Sequence, residues 1–206
     1  LCLINNLYPP YSVGGAEKVV ERISKEAVKN GNQAVVITWR PDFVRFERTT
    51  AGKPWAGFKS WQPIRTVEEG VAVYRFWVPN IFSYKNLGKH NFILKIIWHK
   101  IDIFNFWSAR IVKKILEREK PDEVQTHNLM GIGFVVPRVI QRLGIKHTHY
   151  LHDVQLVEPS GVLAWNHERD NLWQKIYSWT MKRRMGRPDE VLSPSRFLAG
   201  FYKERG

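Results

Sequence analysis

Apolar residues arrive in short runs separated by longer segments of helical period, and the two patterns alternate along most of the chain. Leu1 to Asn6 predicts a strand. Glu17 to Asn30 carries Val19, Val20, Ile23, Ala27 and Val28 at helical spacing and stops at Gly31, and Gln33 to Trp39 predicts the next strand. Strand, helix and strand in that order make a right-handed crossover unit. From Arg40 to Trp61 the pattern dissolves into charge, glycine and aromatics, an excursion with room for at most a short hairpin. Val71 to Phe76 returns as a strand after the turn Glu68-Glu69-Gly70.

The second half repeats the alternation. Spacing predicts one long helix from Ile93 to Glu119, with a charged tail from Lys113 to Lys120. Pro121-Asp122 stops it and launches a short strand, Glu123 to His127. Then come a helix from Ile132 to Arg142, a stop at Gly144, a strand from His147 to Leu151, a loop through Pro159-Ser160-Gly161, and a helix from Glu168 to Met185. Pro188-Asp189 introduces a last strand, Glu190 to Ser193, and Pro194-Ser195-Arg196 starts a final helix with Ser195 as its N-cap. This alternation predicts an α/β fold, a Rossmann-like doubly wound, mostly parallel sheet with helices on both faces. In such folds ligands sit outside the carboxyl ends of the strands, which directs attention to Pro9–Gly15, His127-Asn128, His152-Asp153 and Pro194-Ser195-Arg196.

The first of these segments carries the most information. A strand ends in a proline turn, reaches the pair Gly14-Gly15, and enters a helix near Ala16. Glycines let a phosphate or sugar approach the backbone, and a helix N-terminus aims unpaired amides and the positive end of its dipole at the same spot. The plainer alternative is a loop that needs glycine only for positive φ angles.

His127 and His152 end successive strands, so both stand at the ligand edge, whereas His147 and His149 lie in the body of a strand and read as core-edge residues. Asp153 could orient His152 or raise its pKa, or simply cap a turn. His147 and His149 share one strand face while His152 lies beyond its end, so no metal site is expected.

Composition narrows the surroundings. The 206 residues, 44% apolar and 13% aromatic, supply a sizeable core. Charged residues interrupt every greasy region, so no transmembrane span is predicted. The chain opens inside a strand without Met or a charged leader, which points to a natural N-terminus lying upstream. The lone Cys2, in an apolar strand, reads as a buried inert thiol and suits a reducing cytoplasm. A formal charge of +13 calls for a polyanionic neighbour: nucleic acid, an anionic membrane or phosphorylated substrates.

Four blocks together carry a family resemblance: Tyr8-Pro9-Pro10 through Gly14-Gly15-Ala16-Glu17, Pro121-Asp122-Glu123-Val124-Gln125-Thr126-His127, Tyr150-Leu151-His152-Asp153, and Asp189-Glu190-Val191-Leu192-Ser193-Pro194-Ser195. Their order and spacing resemble the N-terminal half of a GT-B glycosyltransferase of family 4, over nearly the whole chain; Arg40 to Lys120 matches weakly. The resemblance implies one acceptor-side domain over 1–206 and transfer of a sugar from a nucleotide-sugar donor to a sugar, lipid-linked or other glycan acceptor, with retention and without a metal or other cofactor. It implies that Gly14-Gly15 faces the donor diphosphate, that His127 lies beside the transferred sugar, that His152 and Asp153 support it, and that Ser195-Arg196 offers a phosphate contact. Such enzymes carry a second, nucleotide-binding domain for which 206 residues leave no room, so an isolated N-terminal domain without transfer activity of its own is expected.

The competing reading is a basic module without catalysis. Aromatic and aliphatic residues between Phe76 and Trp107, interleaved with Lys85, Lys89, Lys95 and Lys100, resemble an interfacial anchor for an anionic membrane at the inner face, although their helical spacing also suits packing on the sheet. Nucleic acid is disfavoured: Lys182-Arg183-Arg184 is basic, but no recognition module accompanies it. A nucleotide-sugar epimerase or dehydrogenase would need a G-x-G-x-x-G loop after the first strand, and that spacing is missing.

Overall fold

The computed structural model describes residues 1–12, 14–40, 62–82, 84–162 and 170–205. Seven strands form one sheet: β1 Cys2–Asn5, β2 Val35–Trp39, β3 Ile64–Glu68, β4 Val71–Phe76, β5 Glu123–Thr126, β6 Lys146–Tyr150 and β7 Glu190–Leu192, in spatial order β3-β4-β2-β1-β5-β6-β7. All neighbours run parallel except β3, which pairs antiparallel with β4. Six α-helices accompany them among the described residues: α1 Gly15–Lys29, α2 Phe92–Ile103, α3 Phe106–Glu119, α4 Val136–Arg142, α5 Leu172–Met185 and α6 Arg196–Lys203. This is the doubly wound, mostly parallel α/β sheet expected from the alternation.

The central strands are apolar on both faces because each face is covered. Leu3, Val36, Val71 and Val73 point one way, against Val20 of α1. Cys2, Ile4, Ile37, Tyr74 and Val124 point the other way, against Val112, Ile115 and Leu116 of α3, Ile140 of α4 and Met181 of α5. Period-two alternation within a strand thus feeds two cores. Burial pushes the Cys2 thiol up to about 12, so it is inert as expected.

Three expectations are corrected. The single helix over 93–119 is two helices, broken at Phe104-Asn105, where the Asn105 side chain accepts a hydrogen bond from Ser108 N (2.9 Å) and donates to Pro79 O (3.1 Å). That amide caps the new helix and satisfies a neighbouring loop, so the break replaces the helix bonds it forgoes. The helix expected from Ile132 begins only at Val136, because Gly131 (φ 91) and Gly133 (φ 113) hold the preceding turn left-handed. β3 adds a strand that the alternation does not predict: its exposed residues form an edge strand with no buried face to betray it.

The excursion over 41–61 and the start of the helix expected from Glu168 lie outside the described residues. Of the aromatic stretch read as an interfacial anchor, Phe76 and Trp98 are buried in the core, whereas Phe92, Ile93 and Phe106 stay exposed. Among the described residues no helix is long and apolar enough to cross a membrane.

Candidate active site

The sheet order reverses between β1 and β5, and there the carboxyl ends of neighbouring strands part to leave a crevice. Two asparagines set its floor. Asn6 N donates to Asn128 O (2.8 Å), and Asn5 Oδ1 accepts from Asn128 N (3.0 Å), so the loops leaving β1 and β5 are tied together where they diverge. The Asn5 and Asn6 side chains also bond the Leu7 backbone. The β1–α1 loop then contains a cis peptide at Pro9-Pro10 and is clamped from the sheet edge. Arg75 Nη2 donates to Pro9 O (2.5 Å) while the same guanidinium grips Glu68 through both carboxylate oxygens (2.5 and 2.9 Å). Neither the asparagines nor Arg75 drew notice in the sequence, since their partners are distant in the chain.

Gly14 is the N-cap of α1 with extended backbone (φ −136), and Gly15 is the first helical residue. Neither has positive φ, so the loop does not need glycine for its backbone angles. A Cβ on Gly14 would lie 3.2 Å from Glu17 Oε2, whereas one on Gly15 would meet nothing within 4 Å. Gly15 therefore borders open space. The Gly14 amide is already engaged, donating to Glu17 Oε2 (2.8 Å), so a carboxylate from the chain itself sits at the helix N-terminus.

Across the crevice the histidines expected at the strand ends meet. His127 Nδ1 and His152 Nε2 are 2.9 Å apart in one hydrogen bond, and both rings stack with Tyr150. His127 is 1% exposed and its Nε2 has no partner among the described residues. Burial, then the neighbouring His152 and His149, push the His127 pKa down to about 3; burial takes His152 to about 4. Both rings are neutral at physiological pH. His152 faces the crevice and His127 stands behind it.

His147 Nε2 and His149 Nδ1 both bond Thr126 Oγ1 (2.8 and 2.9 Å), which makes them core residues, as expected. Among the described residues no three side chains are grouped to hold a metal ion.

Asp153 lines the crevice but does not pair with His152. Its Oδ1 accepts from Gln155 N (2.8 Å) and Gln155 Nε2 (3.1 Å), so it fixes the turn after β6. Burial raises its pKa, and the Gln155 bonds oppose that. Ser195 caps α6, its Oγ accepting from Leu198 N (3.1 Å). Ser195 and Arg196 follow β7, at the sheet edge and two strands away from β5, and do not line the crevice.

The crevice, about 1110 Å³, brings Gly14 and Gly15 together with His152 and Asp153. Its opposite wall went unrecognised in the sequence. Phe92, Lys95, Ile96 and His99 of α2 face it, a spacing of three, four and seven residues that marks one helical stripe. Lys95 and His99 bring basic groups, and Glu17, Asp153 and Glu158 bring carboxylates. Burial lowers the His99 pKa. The crevice therefore offers a helix N-terminus, neutral imidazole and both signs of charge around a cavity of ligand size.

A curated protein of Klebsiella pneumoniae, described as an uncharacterized 42.6 kDa protein in the cps region, is 26% identical over 212 residues, covering 98% of this chain and 52% of that protein. The chain spans about half the length of that relative. Among solved structures, sucrose-phosphate synthase from Thermosynechococcus elongatus superposes with a TM-score of 0.57 at 12% identity, over 98% of this chain and 44% of that one, a likeness of fold alone. The model of Glycosyltransferase Family 4 matches residues 13–206. With its seven-stranded Rossmann-like sheet, the chain has the N-terminal fold of a GT-B glycosyltransferase and belongs to Glycosyltransferase Family 4.

Proposed function

We propose that this chain is the acceptor-side half of an enzyme that transfers a sugar from a nucleotide-sugar donor to a hydroxyl acceptor, with retention of configuration and without a metal. The observation that carries this reading is the meeting of the α1 N-terminus, its glycine pair and His152 in one crevice.

As the bond between the anomeric carbon and the phosphate oxygen breaks, its electron pair stays with the diphosphate and positive charge grows on the sugar. The first amides of α1 have no intrahelical partners, and the helix dipole favours negative charge there. Gly15 leaves room for phosphate oxygens to reach backbone distance, and Glu17 releases the Gly14 amide when the phosphate arrives. His152 offers its Nδ1 to a sugar hydroxyl. Because burial keeps the imidazole pair uncharged, it orients the sugar without repelling the developing cation. The acceptor oxygen bonds the anomeric carbon on the face the diphosphate leaves, and its proton passes to the departing phosphate oxygen. Lys95 and His99 face the acceptor, Asp153 holds the loop that closes the wall, and the nucleotide is held by residues outside this chain.

The test is sugar transfer by the full-length protein from a panel of radiolabelled nucleotide sugars to cell-derived glycan acceptors, with the product anomer read by NMR. Retained configuration, turnover in the presence of a chelator and its loss in His152→Ala are expected. An inverted product, or activity abolished by the chelator, overturns the reading.

A further inference from the structure

Away from the crevice, α4, α5 and the α2–α3 junction enclose a groove of about 630 Å³. Its lining joins Arg138 and Arg142 of α4 and Arg183 and Arg184 of α5 to the rings of Phe104, Phe106 and Trp179. Among the described residues none of these four arginines has a carboxylate within ion-pair distance. The groove arranges three of them instead on rings and a carbonyl. Arg183 lies over Trp179 at 4.4 Å, Arg184 over Phe104 at 4.2 Å, and Arg138 Nε donates to Arg183 O at 2.9 Å. Burial, then the charge of Arg138, lowers the Arg184 pKa.

The same face is greasy where it should be polar. Trp173 is 80% exposed, Phe106 63% and Trp179 57%, and with Ile176 the α5 residues form one outward stripe. The inward side of α5, with Tyr177, Met181 and Met185, is apolar as well, so the helix presents hydrophobic surface on both sides. Exposed apolar surface beside guanidinium groups that have no carboxylate partner among the described residues marks a surface that meets something anionic and apolar together.

We propose that this face docks flat on an anionic lipid bilayer, with the α5 stripe and Phe106 at headgroup depth and the four arginines on lipid phosphates. Charge complementarity selects this occupant. A second copy placed by two-fold symmetry would set arginine against arginine. Nucleic acid would satisfy the arginines but leave Leu172 and Ile176, 72% and 49% exposed, against a polyanion. The proposal is independent of the sugar-transfer reading, because it uses no residue of the crevice.

The experiment measures cosedimentation of the full-length protein with phosphatidylcholine vesicles with and without phosphatidylglycerol. Binding to the anionic vesicles only is expected. It should fall about 25-fold or more in Arg183→Gln/Arg184→Gln, about fivefold for each charge removed. Arg22→Gln/Lys29→Gln on α1, which covers the opposite face of the sheet, removes the same charge and should leave binding unchanged. Hydrogen–deuterium exchange on the unmodified protein supplies a second readout, with protection by anionic vesicles expected over 172–185. Equal binding to neutral vesicles, an equal loss in the α1 variant, protection elsewhere, or preference for random duplex DNA or an acidic protein would overturn the proposal.

Discussion

His127 and His152 share a single hydrogen bond, Nδ1 to Nε2 at 2.9 Å, between two rings that burial keeps neutral. A neutral imidazole has one donor and one acceptor, so the outer nitrogens are linked. When His152 Nε2 donates, its Nδ1 accepts in the crevice and His127 Nε2 carries the proton; when His127 Nδ1 donates, both roles reverse. The pair should act as a unit. His152→Ala is expected to lower kcat about 100-fold, and His127→Ala about tenfold through loss of the positioning bond. The double variant should be no worse than His152→Ala alone; additive losses measured in the transfer assay would separate the two residues.

Acid should unfold this protein early. His127 and His149 titrate at about 3 and His147 and His152 at about 4 when folded, against 6.5 when unfolded. As pH falls, protons therefore bind the unfolded chain first. The stability tied to these rings is complete above 6.5 and is lost between there and about 3. Urea midpoints should fall steadily below about pH 6.5, and His147→Gln should flatten that slope. A midpoint constant through this window would contradict the assignment.

Asp102 works in the opposite direction. Its buried carboxylate faces the Gly131 amide with both oxygens (3.1 and 3.0 Å), and burial raises its pKa from 3.8 to about 8. A raised acid favours the folded state while protonated, so its contribution is full below 3.8 and is lost as pH rises towards 8. Asp102→Asn keeps an acceptor for Gly131 and removes the titration. The melting temperature of this variant should gain on the parent with rising pH and level off above about pH 8. A difference independent of pH would show that Asp102 is not protonated.

Gly15→Ala separates folding from ligand binding. The site is helical and empty, so alanine should leave the protein as stable or stabilise it by up to about 1 kcal/mol. A methyl group there occupies the space assigned to the donor phosphate, so the KM for the nucleotide sugar should rise about tenfold or more. An unchanged KM would remove Gly15 from the donor site.

Much of the fold was legible because buried parallel strands write themselves as short apolar runs, as in Val35–Trp39 and Val71–Phe76. What was not legible depends on partners far along the chain. The break at Asn105 looks like a tolerated helix interior until Gly133 packs against it, where an added Cβ would come within 2.9 Å of Asn105 Cβ. Within the site, the strand-end rule located Gly14, Gly15, His152 and Asp153 but counted Ser195 and Arg196 too, because sequence cannot say that β7 lies away from the reversal of strand order. The Phe92, Lys95, Ile96 and His99 stripe mixes apolar and basic residues, so no apolar period marks it, and only the folded chain tells which cavity it borders.

The two-residue joint between α2 and α3 also fixes an angle. α2 is held from behind by Trp98 and Ile103 in the core and by Asp102 at the Gly131 amide, while Val112, Ile115 and Leu116 anchor α3, so these contacts and the joint together set which side of α2 turns to the crevice. Lys95 and His99 lie on the crevice wall because Trp98 and Asp102 of the same helix are buried behind it. The wall is thus indexed from behind: a substitution that unseated Trp98 would re-aim the α2 stripe without rebuilding the machinery opposite.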